Sequence, residues 1–232
     1  MKRFLGIDLF FIMIMCLFGG VMDGYSFLCR GDTFCFIQTG NLIRTIIFYI
    51  QKNIESASYS LIIFIVFVIF VFLYYLFLKL IRNIRIDFRL ITLIFVSLLI
   101  LPSYFLKFDD NNYLNANNII TGSCLSMAGS MIAVTFKEIH FKKDHSISFN
   151  AAMMTGNARS MMIAFAEFFY SKNKIKGGEA LCFLCFIIMF SLGIGSSALI
   201  ETNLNSNGYI FIFLMIYILL FLLIIMSFFR EK

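Results

Sequence analysis

Proline is almost missing from this sequence, with Pro102 the only one. Charge is scarce as well. Asp, Glu, Lys and Arg make up 14% of the residues, where a soluble domain carries about a quarter. A chain so poor in helix breakers and charge, 61% hydrophobic and with 31 phenylalanines in 232 residues, reads as a set of long apolar helices. A bilayer admits helices or closed barrels, and these runs are too long and continuous for barrel strands. The fold class expected is an all-α integral membrane protein.

Other absences narrow the function. There is no Gly-rich phosphate loop, no H-E-x-x-H and no serine–histidine arrangement, and no expected span carries a histidine, so no enzyme is expected. No cofactor or metal is expected either. Cys182 and Cys185 form a C-x-x-C without a second pair or a nearby ligand histidine, which reads as packing. His140 and His145 lie in a basic stretch read as a solvated loop. The net charge of +6 sits in short connections between apolar runs, which orients a membrane protein and does not indicate nucleic acid. The N-terminal run lacks a small-residue cleavage site and carries Asp8 and Asp23, so it reads as a retained span.

What is present is a polar triplet that occurs twice. Gln38-Thr39-Gly40-Asn41-Leu42-Ile43-Arg44 returns as Met154-Thr155-Gly156-Asn157-Ala158-Arg159. Threonine, glycine and asparagine suit a helix start, where a hydroxyl caps free amides and glycine lets other backbone approach. Inside a membrane such a start is a polar site as well. Asp23, Arg44, Arg159 and Glu167 are the ionisable residues within apolar segments, and charges there face water or one another. Glu167 is expected to snorkel at a segment end. The expected binding residues are therefore Asp23, Thr39, Gly40, Asn41, Arg44, Thr155, Gly156, Asn157 and Arg159. A second reading makes the triplets packing devices, beside an Asp–Arg pair that locks helices.

The polar stretch Lys107–Asn118 divides the chain into a first repeat, 1–107, and a second, 117–232. Each half reads as a glycine-bearing span, a triplet segment, then two spans. The triplet segments are expected near Phe34–Gln51 and Ile147–Tyr170. If all eight segments cross, nine basic residues fall on one side and eight on the other. If each triplet segment dips in and returns, fourteen fall inside and three outside, which the positive-inside rule favours. The expectation is six spans plus two re-entrant segments in an inverted-repeat duplication; the alternative is seven or eight full spans. Inverted repeats with broken helices are how many transporters build a mid-membrane site.

The block Gly19-Gly20-Val21-Met22-Asp23, followed by Gln38-Thr39-Gly40-Asn41-Leu42 and the second triplet, resembles the YoaK family of small multi-pass bacterial membrane proteins. Gly24 stands where alanine is common in that family. The resemblance implies a bacterial inner-membrane protein and adds little on activity, since the family is a domain of unknown function. Both termini are expected in the cytoplasm. The expected function is transport or channelling of a small polar solute, with arginines and helix starts favouring an anion. The alternative is a non-transporting scaffold or partner subunit. Expected partners are the lipid bilayer, a small unidentified solute and, as an option the residues leave open, further copies of the chain.

Overall fold

The structure, a computed structural model, describes residues 2–81, 87–136, 138–142, 145–149, 154–204 and 208–230. Within these, the side chains of 2–8, 138–142, 145–146, 203–204, 208–211, 213 and 225–230 lie outside the description. Eight helices form: α1 (Lys2–Cys29), α2 (Gln38–Ile50), α3 (Ile54–Leu80), α4 (Phe88–Phe105), α5 (Ala116–Thr135), α6 (Met154–Ser171), α7 (Lys174–Leu204) and α8 (Gly208–Arg230). Five of them contain segments long and apolar enough to cross a bilayer: Leu9–Cys29, Ile54–Leu80, Phe88–Phe105, Ala116–Thr135 and Lys174–Thr202. A shorter apolar stretch, Leu214–Ile224, lies in α8. This is a multi-helix membrane protein.

The all-helical class expected of the chain is found, and two local readings need correction. β1 (Glu138–Lys142) and β2 (His145–Ser148) form a short antiparallel hairpin with Ile139 opposite Ile147. The stretch expected as a loop and the start of a helix holds Ile139, Phe141 and Ile147 alternating with polar residues, a period-two pattern that suits a strand. The second triplet's helix accordingly begins at Met154, not at Ile147. The first, α2, has 13 residues and is about 20 Å long, short of the ~30 Å hydrocarbon core.

Two parallel helix pairs make the core. α1 lies on α7 where glycines remove the side chains: a methyl on Gly20 would meet the Phe190 carbonyl, and one on Gly193 the Leu17 carbonyl. One turn on, Gly24 faces the Ser197 hydroxyl. Small residues four apart on both helices let backbones touch, which in lipid substitutes for the missing hydrophobic drive. α3 lies on α5 in the same way. Gly122 takes the Tyr59 hydroxyl and Ile63, and the Ser126 hydroxyl donates to the Ile63 carbonyl at 2.8 Å. Around these pairs, α2 packs on α3, α6 on α7, α4 on α5 and α8, and α8 on α1.

One polar layer fixes which helix ends lie together. Arg30, just past α1 and fully buried, donates to the Tyr25 hydroxyl, to the Leu106 carbonyl at 2.9 Å and to the Ser103 carbonyl. These are orphan carbonyls at the C-terminus of α4, where a cation is favoured. Tyr59, near the start of α3, reaches the Arg30 and Asn118 carbonyls at 3.3 and 3.4 Å. So the end of α1, the start of α3, the end of α4 and the start of α5 share one face.

The crossings give a graded prediction. Gly20→Ala and Gly193→Ala should each cost about 1–3 kcal/mol through overpacking against backbone. Gly195, with open space beside it, should tolerate alanine or gain up to about 1 kcal/mol of helix propensity. Thermal unfolding of the purified variants in detergent reads the difference; equal behaviour at all three positions would refute the close crossing.

Candidate functional site

The first triplet begins where the chain has turned back on α1. After Arg30, the segment 31–37 is not helical, with Gly31 at φ 71° and Asp32 at φ 53°. It runs antiparallel to α1, so that Phe36 lies beside Asp23 and Cys35 beside Met22, about 10 Å back from Arg30. Such backbone needs partners from the protein, because lipid supplies none. Asp23, 1% exposed, accepts the Phe36 N–H at 2.8 Å, with weaker favourable interactions from the Cys35 and Ile37 amides. Asn41 holds Phe34 by both its groups: Oδ1 accepts the N–H at 2.9 Å and Nδ2 donates to the carbonyl at 2.8 Å. Gln38 donates to the Cys35 carbonyl at 2.8 Å and accepts from Asn41 at 2.9 Å.

Thr39 is not the cap that the sequence suggests. The N-cap position is Ile37, without a side-chain cap bond, and Thr39 is exposed in the first helical turn. The threonine is displaced because Gln38 and Asn41 fasten the arm from inside the helix. Gly40 faces the Phe34 ring, where a larger side chain would collide. Arg44 donates to the Gly31 carbonyl at 3.1 Å, lies 3.4 Å from Asp32 Oδ2, and stacks 4.7 Å from the Phe48 ring centroid. The Asp–Arg pair exists, then, but its acid is Asp32. Among the described residues Asp23 has no cation partner. A cavity of about 200 Å³ lies beside it, between Gly24 and Phe27 of α1, Phe34 and Ile37 of the arm, and Ile194 and Ala198 of α7.

The second triplet differs. Asn157 is buried and donates to Met154 Sδ at 3.4 Å, but Thr155 and Arg159 are exposed and Gly156 has open space at its Cα. The packing sets α2 on α3 and α6 on α7, and does not lay the two triplet helices along each other. Glu167 does not snorkel alone: Lys176 Nζ lies 3.2 Å from it and 3.2 Å from Glu179, which is 6% exposed.

The connections after both triplet helices are built alike. Lys52 (φ 62°) and Lys172 (φ 52°) take the left-handed conformation unusual for a side-chain-bearing residue. Each is followed by an asparagine that caps the next helix, Asn53 accepting the Ser56 N–H at 3.2 Å and Asn173 the Ile175 N–H at 2.9 Å. This shared Lys-Asn turn joins the paired triplets and the glycine-bearing first helix as the chain's recurring features. A family model described as "Protein of unknown function (DUF1275)" matches residues 11–226.

The chain belongs to the DUF1275 family.

That family includes YoaK, as the resemblance implied. No curated protein and no solved structure matches the chain. Several residues that hold this DUF1275 chain together have no signal of their own in the sequence. Arg30 looks like one more loop charge, Gln38 like a flanking polar residue, and Tyr59 and Asn118 like interface residues at segment starts. The Glu179 carboxylate lies in a polar lead-in that reads as outside the span.

Asn41 and Thr39 give the second prediction. Asn41→Ala strips two hydrogen bonds from the Phe34 backbone and should destabilise the protein by about 1–3 kcal/mol. Thr39→Ala should stay within about 0.5 kcal/mol, as exposed substitutions do. Melting temperatures in one detergent compare them, and a silent Asn41→Ala would remove the anchoring role.

Proposed function

We propose that this DUF1275 protein moves a small polar solute across the bacterial inner membrane, with six spans, two re-entrant triplet segments and both termini in the cytoplasm. The observation that carries the reading is the arm at 31–37. It is irregular backbone that turns back along α1 from the Arg30 layer, leads into a short helix, and is held by a buried carboxylate next to an apolar cavity. Transporters use broken helices of this kind to place a site within the bilayer.

Inverted duplication accounts for the packing. Exchange each helix of one half for its counterpart, α1 with α5, α2 with α6, α3 with α7 and α4 with α8. The α1–α7 contact then becomes α5–α3, α2–α3 becomes α6–α7, and α4–α5 becomes α8–α1. The α4–α8 contact maps onto itself. The two Lys-Asn turns exchange as well. With three spans per half, the second half lies inverted in the membrane, and the basic connections fall on one side.

The sign of the solute's charge does not follow from the triplets. Arg44 is held by Asp32 and the Gly31 carbonyl, so an anion preference would rest on Arg159 alone. The scaffold reading has an observation of its own: Asp23, Gln38 and Asn41 are all engaged by the arm.

Two experiments separate these readings. Purified protein in proteoliposomes should take up at least one member of a panel of small anionic, cationic and neutral solutes above protein-free vesicles. Uptake of none of them would sink transport and leave the scaffold. For topology, a cysteine at Asn112 should react with an impermeant thiol reagent outside intact cells. Cysteines at Asn83 and Asp144, which lie outside the described residues, should react only once cells are opened. Labelling of either in intact cells would restore eight spans.

A further inference from the structure

α3 and α4 are joined in sequence but do not lie along each other. Each packs on α5, and the two meet where the Phe77 and Phe95 rings stand edge to face, 6.1 Å between centroids. The space left between them is an apolar groove of about 250 Å³. Phe70, Leu73 and Phe77 form its α3 wall, Phe95 and Leu99 its α4 wall, and the buried Met131 of α5 its floor. Tyr74 contributes a ring, because its hydroxyl is bound to Thr92 at 2.8 Å, and Thr92 in turn lies 2.8 Å from Thr135 of α5. Leu73 is 48% exposed and Phe95 41%, so the groove opens outward, on the side that lipid covers.

The dimensions select an occupant. From Phe70 to Phe77 the groove follows about 10 Å of helix, so its cross-section is about 25 Å². That is the girth of one hydrocarbon chain. A helix of another protein, about 10 Å across, is too thick to enter. Left empty, the lining would forfeit its contacts on that side.

The end of the groove toward the α3–α4 connection is basic. Past Phe77 comes Lys79, its ammonium 5.1 Å from the Tyr75 ring centroid. The connection holds Arg82 and Arg85, which lie outside the described residues, and Asp87 is the one acid between 79 and 89. Arg89 pairs with Asp87 at 2.7 Å. The Thr92–Thr135 contact puts the end of α5 at this same end of the bundle, and the sequence that follows α5 has Lys137, Lys142 and Lys143 against Glu138 and Asp144. By sequence, then, both connections at this end carry more basic residues than acidic ones.

We propose that the groove between α3 and α4 holds one acyl chain of an anionic phospholipid, with its phosphate at Lys79 and the connection that follows. The basic residues attract the headgroup and the groove fixes the chain. The site lies on the outside of the bundle, away from the arm and the Asp23 cavity, and stands whether or not a solute crosses.

Native mass spectrometry of the full chain, released from vesicles of equal phosphatidylglycerol and phosphatidylcholine, tests it. The chain should retain one lipid, with phosphatidylglycerol favoured at least about fivefold, the scale of one basic residue near the surface. Lys79→Gln should lower that preference about fivefold. Leu73→Trp, which fills the groove from a half-exposed position, should abolish retention, while Ile69→Trp, on the exposed face of α3 outside the groove, should leave it unchanged. Phosphatidylglycerol with butanoyl chains should be retained at least about tenfold less than the long-chain lipid, since each methylene adds to burial. Equal retention of the two headgroups, or retention unchanged in folded Leu73→Trp, would overturn the proposal. So would a lipid-free dimer that Leu73→Trp dissociates, which would give the groove to a second copy of the chain. Should Leu73→Trp not fold, the Lys79→Gln and butanoyl comparisons decide: no change in either overturns the site.

Discussion

Backbone that leaves a helix and is buried against its neighbours must find its hydrogen bonds within the protein, and this constraint organises the first half of the chain. The arm at 31–37 carries amides and carbonyls that no helix satisfies. Asp23 from α1 and Gln38 and Asn41 from α2 reach them. Once the arm lies against α1, α2 has only one way to run, back toward Arg30, and α3 must start on the face where α1 ended. A buried carboxylate is costly by itself; here it faces consecutive amides at a helix start, where partial positive charge offsets the cost.

The helix pairs answer the same solvent. Lipid gives two apolar helices no reason to associate, so the pairs depend on contact distance. At the α1–α7 crossing, Gly20 and Gly193 bring the backbones together. At the α3–α5 crossing the contact is between glycine and a ring, Gly122 beneath Tyr59, and the serine hydroxyl of α5 bonds a carbonyl of α3. The first pair achieves closeness with no side chain on either partner, the second by fitting a large one into the space glycine leaves. Tyr59 thereby acts twice, as the knob of the α3–α5 crossing and, with Phe108 and Tyr113, as the centre of the ring cluster that covers Gly31.

Much of this was legible in the residues. Apolar runs without proline marked the helices, and five of them, α1, α3, α4, α5 and α7, hold segments long and apolar enough to cross a bilayer. Gly20 and Gly24 of the first span lie at its crossing with α7. The hairpin was hidden because basic residues at 137–143 resemble a connection, and only a short alternation of Ile139, Phe141 and Ile147 speaks for strands. The mode of use of the first triplet was hidden for another reason. Asn41 at the start of a helix suggests capping forward along the chain, whereas its partner is Phe34, seven residues back, and only the turn at Gly31 and Asp32 makes that reachable. Arg30 was equally opaque, because its acceptors, Ser103 and Leu106, lie on a helix that the sequence does not place beside it.

The two halves share their turns and their pairing but differ in what fills them. Where the first half has Arg44 against Asp32 and rings over Gly31, the second has Ser160, Ser148 and an open space bounded by Glu179. Where the first helix start turns an isoleucine, Ile43, toward the outside, the second turns Arg159. In both halves a left-handed lysine and a capping asparagine end the triplet helix and set the next helix against its neighbour, α2 on α3 and α6 on α7, so the shared turn constrains the pairing more tightly than the residues that fill the space between.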